Sequence, residues 1–168
     1  LDVNVMGTVH AARVALPAMR RQGGGVLVNV SSVLGAVPVP YQHAYVMSKA
    51  AINALGASLR QELRRTGGRG IDVVTVLPPS VDTPIYRTAA NHTGRAIRPL
   101  PPVYSPERVA AAIVRAARHP RREVVVGPGP RFLVQQARLA PAVVERVIGP
   151  LTGAVMLHGS AGESEGNL

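Results

Sequence analysis

The chain predicts an α/β domain built on a parallel sheet, and three observations say so. Segments with helical periodicity alternate with short apolar runs in the order helix, strand, helix, strand, helix, strand, then helices. The strand runs are almost unbroken, V-L-V-N-V at residues 26–30 and I-D-V-V-T-V-L at residues 71–77, the pattern of strands covered on both faces rather than one. The helical segments between them are long enough for the right-handed crossovers that parallel strands require. In such sheets ligands bind outside the carboxyl ends of the strands. Ser32, the turn at Pro78 and the turn at Gly127 all fall on that edge.

Each element has its own justification. Residues 4–21 read as a helix, with Val5, Val9, Ala12, Leu16 and Met19 on one stripe and Pro17 near the end. Gly23, Gly24 and Gly25 stop it. After the first strand, Ser31 and Ser32 lead into a loop over residues 33–42. A helix over residues 44–65 carries Ala51, Ile52, Leu55, Leu59 and Leu63 inward and Arg60, Glu62, Arg64 and Arg65 outward. Gly67, Gly68 and Gly70 end it before the second strand. Residues 81–104 are the least regular part, of the length and composition of a functional loop such as a lid. Ser105-Pro106-Glu107 is a helix start, with a capping serine, a proline in the first turn and a carboxylate at the positive end of the dipole. That helix reaches residue 119. A third strand covers residues 123–126, the glycine and proline run 127–130 ends it, and helical pieces follow over 131–139 and 142–148. Residues 1–158 form one domain, and residues 159–168 are expected to be a disordered tail.

The composition narrows the function classes. A hydrophobic fraction of 46% with 17% charged residues is that of a globular chain, and 168 residues suffice for one real core. The net charge of +10 would suit a polyanion. Yet the arginines are spread along the chain with no run longer than two, and aromatics make up 3%, which argues against nucleic-acid binding. With no cysteine there is no disulfide or thiolate ligand, and the five histidines lack metal-ligand spacing, so no metal site is expected. Apolar stretches are broken well short of membrane-spanning length. A cytoplasmic protein without a transmembrane segment is the expectation. The segment containing Phe132, Leu133, Leu139, Val143, Val144 and Val147, interleaved with Arg131, Arg138 and Arg146, covers the substrate cleft or a partner subunit, or else lies on a membrane surface.

Tyr45 and Lys49 stand four apart at the head of the second helix, so phenol and ammonium share a face. Of nineteen basic residues, eighteen are arginine and one is lysine, and that lysine is Lys49. Arginine cannot titrate near neutrality, whereas a lysine ammonium can be tuned. Taken alone, the pair is also what a solvated helix charge behind a buried tyrosine gives.

Four motifs in order decide between these readings: N-V-M-G from Asn4, V-N-V-S-S at residues 28–32, Tyr45 thirteen positions after Ser32 with Lys49 four further, and P-P-S-V-D-T at residues 78–83. Together they resemble the short-chain dehydrogenase/reductase family, over nearly all of the chain up to Gly127. The resemblance implies a partial doubly wound, Rossmann-type sheet that begins in the family's fourth helix and keeps its fifth to seventh strands. It implies hydride transfer between NAD or NADP and an alcohol, ketone or aldehyde. Tyr45 is then the acid/base on the substrate oxygen and Ser32 hydrogen-bonds the same oxygen. Lys49 binds the nicotinamide ribose and lowers the phenol's pKa, and Asn4 holds a water in a proton relay. Pro78, Val81 and Thr83 form the turn against the nicotinamide. A free phenol titrates near ~10, so a base near neutrality needs several kcal/mol of help at about 1.4 kcal/mol per unit.

The chain also departs from the pattern. Pro79 stands where the family usually has glycine, which removes an N–H and restricts the turn. The lesser alternative for Thr83 is a helix cap ahead of Pro84. Ser31 is expected to satisfy local backbone groups, and His43 could face the substrate. The phosphate-binding glycine turn T-G-x-x-x-G-x-G does not occur, because Gly23 to Gly25 and Gly67 to Gly68 precede strands rather than follow them. Two functions remain: part of an active, homo-oligomeric oxidoreductase, or a truncated non-catalytic chain serving as an interaction module through the Val5 and Ala51 helices. Residues 33–42 and 83–104 are expected to shape the substrate pocket, with Val33, Leu34, Val37, Val39 and Ile85 hinting at a lipophilic carbonyl compound.

Overall fold

In a computed structural model, residues 1–160 of the chain are described. The elements in order are α1 (Gly7–Gln22), β1 (Gly25–Val30), α2 (His43–Arg65), β2 (Ile71–Leu77), β3 (Ser80–Val81), α3 (Ile85–Thr88), β4 (Ala96–Ile97), β5 (Val103–Tyr104), α4 (Pro106–Arg118), β6 (Glu123–Val125), α5 (Pro128–Leu139), α6 (Pro141–Met156) and β7 (Leu157–His158). A π-helical turn, Asp2–Met6, leads into α1, and a 3₁₀ turn, Val33–Gly35, follows β1.

The main sheet has the order β1-β2-β6 and is parallel throughout, with Gly25 beside Ile71, Val30 beside Val76 and Leu77 beside Val125. Its central strand β2 is buried except at Asp72. The unbroken apolar sequence follows from cover on both faces. On one side Val74 and Val76 pack with Val26, Val28 and Val126 under Ala112, Ile113 and Ala116 of α4. On the other, Ile71, Val73 and Leu27 meet Leu16 and Met19 of α1 and Leu59 and Leu63 of α2. A third cluster closes the carboxyl end, where Leu77 and Val125 meet Val33, Val37, Val134 of α5 and Val144 of α6.

The glycine runs start strands. Gly23, at φ +86°, ends α1 with its N–H on the Arg20 carbonyl, while the Gly24 N–H reaches Met19, a Schellman closure. A Cβ on Gly24 would lie 2.6 Å from the Gly70 oxygen, so β1 and β2 can begin side by side because residue 24 has no side chain.

Several expectations need correction. The run 127–130 does not separate strand from helix, since α5 begins at Pro128, where a proline ring suits the first helical position. The last helix extends past residue 148 to Met156, through Pro150. The irregular stretch contains β3, β5, β4 and the single turn α3, with β3 parallel to β5 and β4 antiparallel to β7. Val33, Val37 and Val39 are buried, the first two within the carboxyl-end core, so they give no evidence of a lipophilic pocket. Of the expected tail, residues 161–168 lie outside the described residues. No helix among the described residues is long and apolar enough to cross a membrane.

Candidate active site

The site is assembled where β1 ends. The Ser31 N–H donates to Val76 O at 2.8 Å and the Val33 N–H to Pro78 O at 2.9 Å, which holds the chain beside β2 as it leaves the sheet. Ser32 is buried, and its Oγ accepts the Leu34 N–H at 3.1 Å. This closes the tight turn that aims residue 32 at the edge. The turn is fastened to α2 at two points. The Ser31 hydroxyl donates to the Lys49 carbonyl at 2.9 Å, and Asn53 Nδ2 donates to the Gly35 carbonyl at 3.0 Å. Ser31 thus satisfies a backbone group, as its sequence position suggested.

Tyr45 and Lys49 lie one turn apart on α2, with Lys49 Nζ 5.6 Å from the centre of the Tyr45 ring. The Lys49 ammonium donates to the Val30 carbonyl at 3.1 Å, which draws it to the carboxyl end of β1. Tyr45 is 39% exposed. Burial pushes its phenol above the ordinary value, the Ser32 hydroxyl beside it pulls the other way, and Tyr86 adds to the rise. Burial likewise holds the Lys49 ammonium below its ordinary value. The resemblance implies that Lys49 lowers the phenol; here partial burial is the larger influence, because it disfavours the phenolate.

Asn4 lies in the π-helical turn before α1, a local widening often found at functional sites. Its Nδ2 donates to Ser48 Oγ at 3.0 Å, and that hydroxyl donates to the Tyr45 carbonyl at 2.7 Å. Asn4, Val28, Asn29, Val30 and Lys49 share the wall of an open cleft of about 310 Å³. Asn4, Ser32, Tyr45 and Lys49 therefore converge on one edge from three segments.

The turn after β2 is less closely joined to them. Pro78 is tied in through its carbonyl, while Val81 pairs with Tyr104 in the β3–β5 ladder. Neither Val81 nor Thr83 shares a hydrogen bond with the four among the described residues, and Thr83 does not cap α3, whose cap position is Pro84 without a side-chain bond. Pro79 does not prevent the turn. His43 is exposed at the first position of α2. Two residues escaped the sequence reading. Ser48, 2% exposed, is the link between Asn4 and Tyr45, and its place inside the Tyr45 to Lys49 motif was the available signal. Tyr86, beside Tyr45, sits in the irregular segment and carries no signal.

Comparison with known proteins agrees with this architecture. Residues 1–94 match the family model described as short chain dehydrogenase, more than half of the chain, and the protein belongs to that family. It is 33% identical over 132 residues to an uncharacterized oxidoreductase of Staphylococcus aureus (strain MRSA252), a match covering 76% of this chain and 53% of that one. It is 29% identical over 170 residues to the uncharacterized oxidoreductase YxnA of Bacillus subtilis (strain 168), covering 99% of this chain and 46% of that one. Among solved structures it resembles a short chain dehydrogenase from Burkholderia cenocepacia J2315 in complex with NADP. That match has a TM-score of 0.71 and 25% identity, covering 88% of this chain and 56% of the other. The chain thus spans about half the length of the curated relatives it matches.

Proposed function

We propose that the protein is an NAD(P)-dependent oxidoreductase interconverting an alcohol and a ketone or aldehyde, with Tyr45 as the acid/base. The observation that carries this is the meeting of Ser32, Tyr45 and Lys49 at the carboxyl end of β1, with the Ser32 hydroxyl beside the Tyr45 phenol and the Lys49 ammonium near its ring. Their remaining hydrogen-bonding capacity suits the task. Ser32 Oγ uses an acceptor site on Leu34 and its hydroxyl faces the Tyr45 phenol, so its one O–H would turn to a substrate oxygen held between the two and stabilise a developing alkoxide. Lys49 spends one of three donors on Val30, leaving two for ribose hydroxyls. Tyr45 is exposed enough to reach a ligand and buried enough for its proton affinity to be altered by one.

The donor set at this edge fits a nicotinamide cofactor. Tyr45 and Lys49 would hold its ribose, and Thr83 with the Val81 backbone its carboxamide. The NADP in the similar Burkholderia structure supports the same reading. When bound, the nicotinamide supplies or accepts the hydride. The protein's own residues orient the substrate oxygen, through Ser32, and deliver or remove its proton, through Tyr45. Asn4, on the cleft wall, positions the Tyr45 turn through Ser48 and offers a polar group for a relay water.

Carbonyl reduction by the purified protein with NADPH or NADH tests the proposal. General acid–base catalysis is worth about 10²–10⁴-fold, so Tyr45→Phe should lose activity on that scale. Unchanged turnover would sink the assignment. Calorimetric titration with NADPH distinguishes this reading from a non-catalytic interaction module, which should show no stoichiometric cofactor binding.

A further inference from the structure

At the opposite edge of the main sheet, the fold gathers arginines that the sequence keeps apart. The last turns of α2 bring Arg60, Arg64 and Arg65, the turn before β2 brings Arg69, and the turn before β6 brings Arg121 and Arg122. These six line one cleft of about 650 Å³, with Asp72 as the one carboxylate among the lining residues. The wall therefore carries six positive charges against one negative. The cleft takes in the first half of β2, up to Val74, and lies about 13 Å from the Pro78 turn at about 3.3 Å per residue; it shares no lining residue with the cleft beside Asn4 and Lys49.

Arg60 has a structural duty. One guanidinium nitrogen donates to Val73 O at 3.1 Å and Arg122 O at 3.1 Å, with Thr75 Oγ1 at 3.4 Å. Its Nε is buried without a partner. The other five are exposed, and no ion pair joins them to a carboxylate among the described residues, where the pair found is Arg138–Glu123. Positive charges crowd here enough to be felt. The Arg60 guanidinium is held below its ordinary value by burial first, then by Arg122, with Glu123 opposing and Arg64 adding. A helix carboxyl end accommodates one or two cations through its dipole, but not six contributed by three separate segments.

We propose that this cleft binds a small ligand bearing two or more phosphate groups. Guanidinium forks match phosphate oxygens two at a time, and six arginines contributed by three separate segments offer more forks than one phosphate can occupy. The volume lies in the ~300–1,000 Å³ range of small-ligand sites. No aromatic side chain lines the cleft, so it offers no stacking platform for nucleic-acid bases.

Inorganic triphosphate, titrated into the purified protein by calorimetry, tests this without involving nicotinamide or adenine. The expected result is saturable one-to-one binding that weakens as salt rises from about 50 to 200 mM. Each of Arg64→Gln and Arg121→Gln should weaken it about tenfold, the scale of one lost charge-assisted hydrogen bond. Arg13→Gln on α1 should not change it. Both cleft side chains are exposed; should either glutamine variant melt early, Arg64→Lys and Arg121→Lys keep the charge, lose the fork and should bind with intermediate affinity. Absence of saturable binding, or equal affinity in cleft and control variants, would overturn the proposal. So would stronger binding of a single-stranded oligonucleotide than of triphosphate at equal phosphate concentration.

Discussion

Asn4 donates its side-chain amide to Ser48 Oγ at 3.0 Å across 44 positions of sequence, and Ser48 hands the bond on to the Tyr45 carbonyl at 2.7 Å. The pair ties the turn before α1 to the first turns of α2. Ser48→Ala should cost about 1–3 kcal/mol, because it strands the part-buried Asn4 amide. Asn4→Ala should cost less, and the two losses should not add when combined. Thermal melting of the four proteins in a double-mutant cycle checks this, and additive losses would show that the contact does not couple the helices.

Much of this site could be read from the chain, and the reasons are physical. Tyr45 and Lys49 are one helical turn apart, and Ser32 lies at the end of an apolar run that could only be an interior strand; such local relationships survive folding unchanged. The inward turn of Val33 and Val37 was not legible, because apolar loop residues beside a cleft look the same whether they line it or fill the core behind it. Tyr86 reaches Tyr45 from an irregular segment, where no periodicity fixes direction. The arginine cleft was hidden for a different reason. Its members lie on three turns, and Arg60 and Arg122 are 62 positions apart, so a charge run along the chain was the wrong thing to look for. The start of α5 at Pro128 is not legible because a glycine and proline run reads as a stop, although a proline ring fits a first helical turn.

The Tyr45 phenol should ionise above the ordinary value of about 10, since burial raises it more than Ser32 lowers it. Spectrophotometric titration of tyrosinate, as the difference between the protein and Tyr45→Phe, should show this late step. A raised folded pKa contributes stability that is complete below the unfolded value and is lost as pH rises through the folded one. Lys49 acts in the opposite sense. Its folded pKa is lowered, so its contribution is present above the unfolded value near about 10.4 and is lost as pH falls through the folded one. Tyr45→Phe should therefore resist alkaline unfolding better than the unaltered protein, whereas Lys49→Met should gain stability at neutral pH, where a part-buried charge is removed.

Gly35 is where the loop after β1 touches α2. A Cβ there would lie 2.7 Å from the Lys49 carbonyl carbon and 2.8 Å from its oxygen, and backbone cannot step aside as a side-chain end can. Gly35→Ala should lower stability by about 1–3 kcal/mol and reduce turnover by shifting Lys49 and Tyr45. Gly129→Ala, within α5 and with nothing within 4 Å, should be neutral or stabilising by up to about 1 kcal/mol. Chemical denaturation of both variants, with turnover measured alongside, makes the comparison.

Ser105 caps α4 by accepting the Arg108 N–H at 3.3 Å. Ser105→Ala should cost about 1 kcal/mol and leave KM and kcat unchanged, since α4 packs on the sheet face opposite α2. A change in kcat would show that the β5 and α4 side communicates with the site.

Three contacts that tie the sheet and its helices together differ in the length of chain they close, and this sets an order of assembly. Ser31 meets Lys49 across 18 positions, Asn4 meets Ser48 across 44, and Arg60 meets Arg122 across 62. Loop-closure entropy favours the first over the last by about 1 kcal/mol. The serine–tyrosine–lysine corner should thus form as an early local unit, with Asn4 joining afterwards and β6 docking last. Pulse-labelled hydrogen exchange during refolding should find the amides of β1 and the start of α2 protected before those of β6. The proposed site would then also be the folding nucleus, so substitutions there should slow folding as well as any turnover, and a low yield of a site variant carries kinetic information of its own.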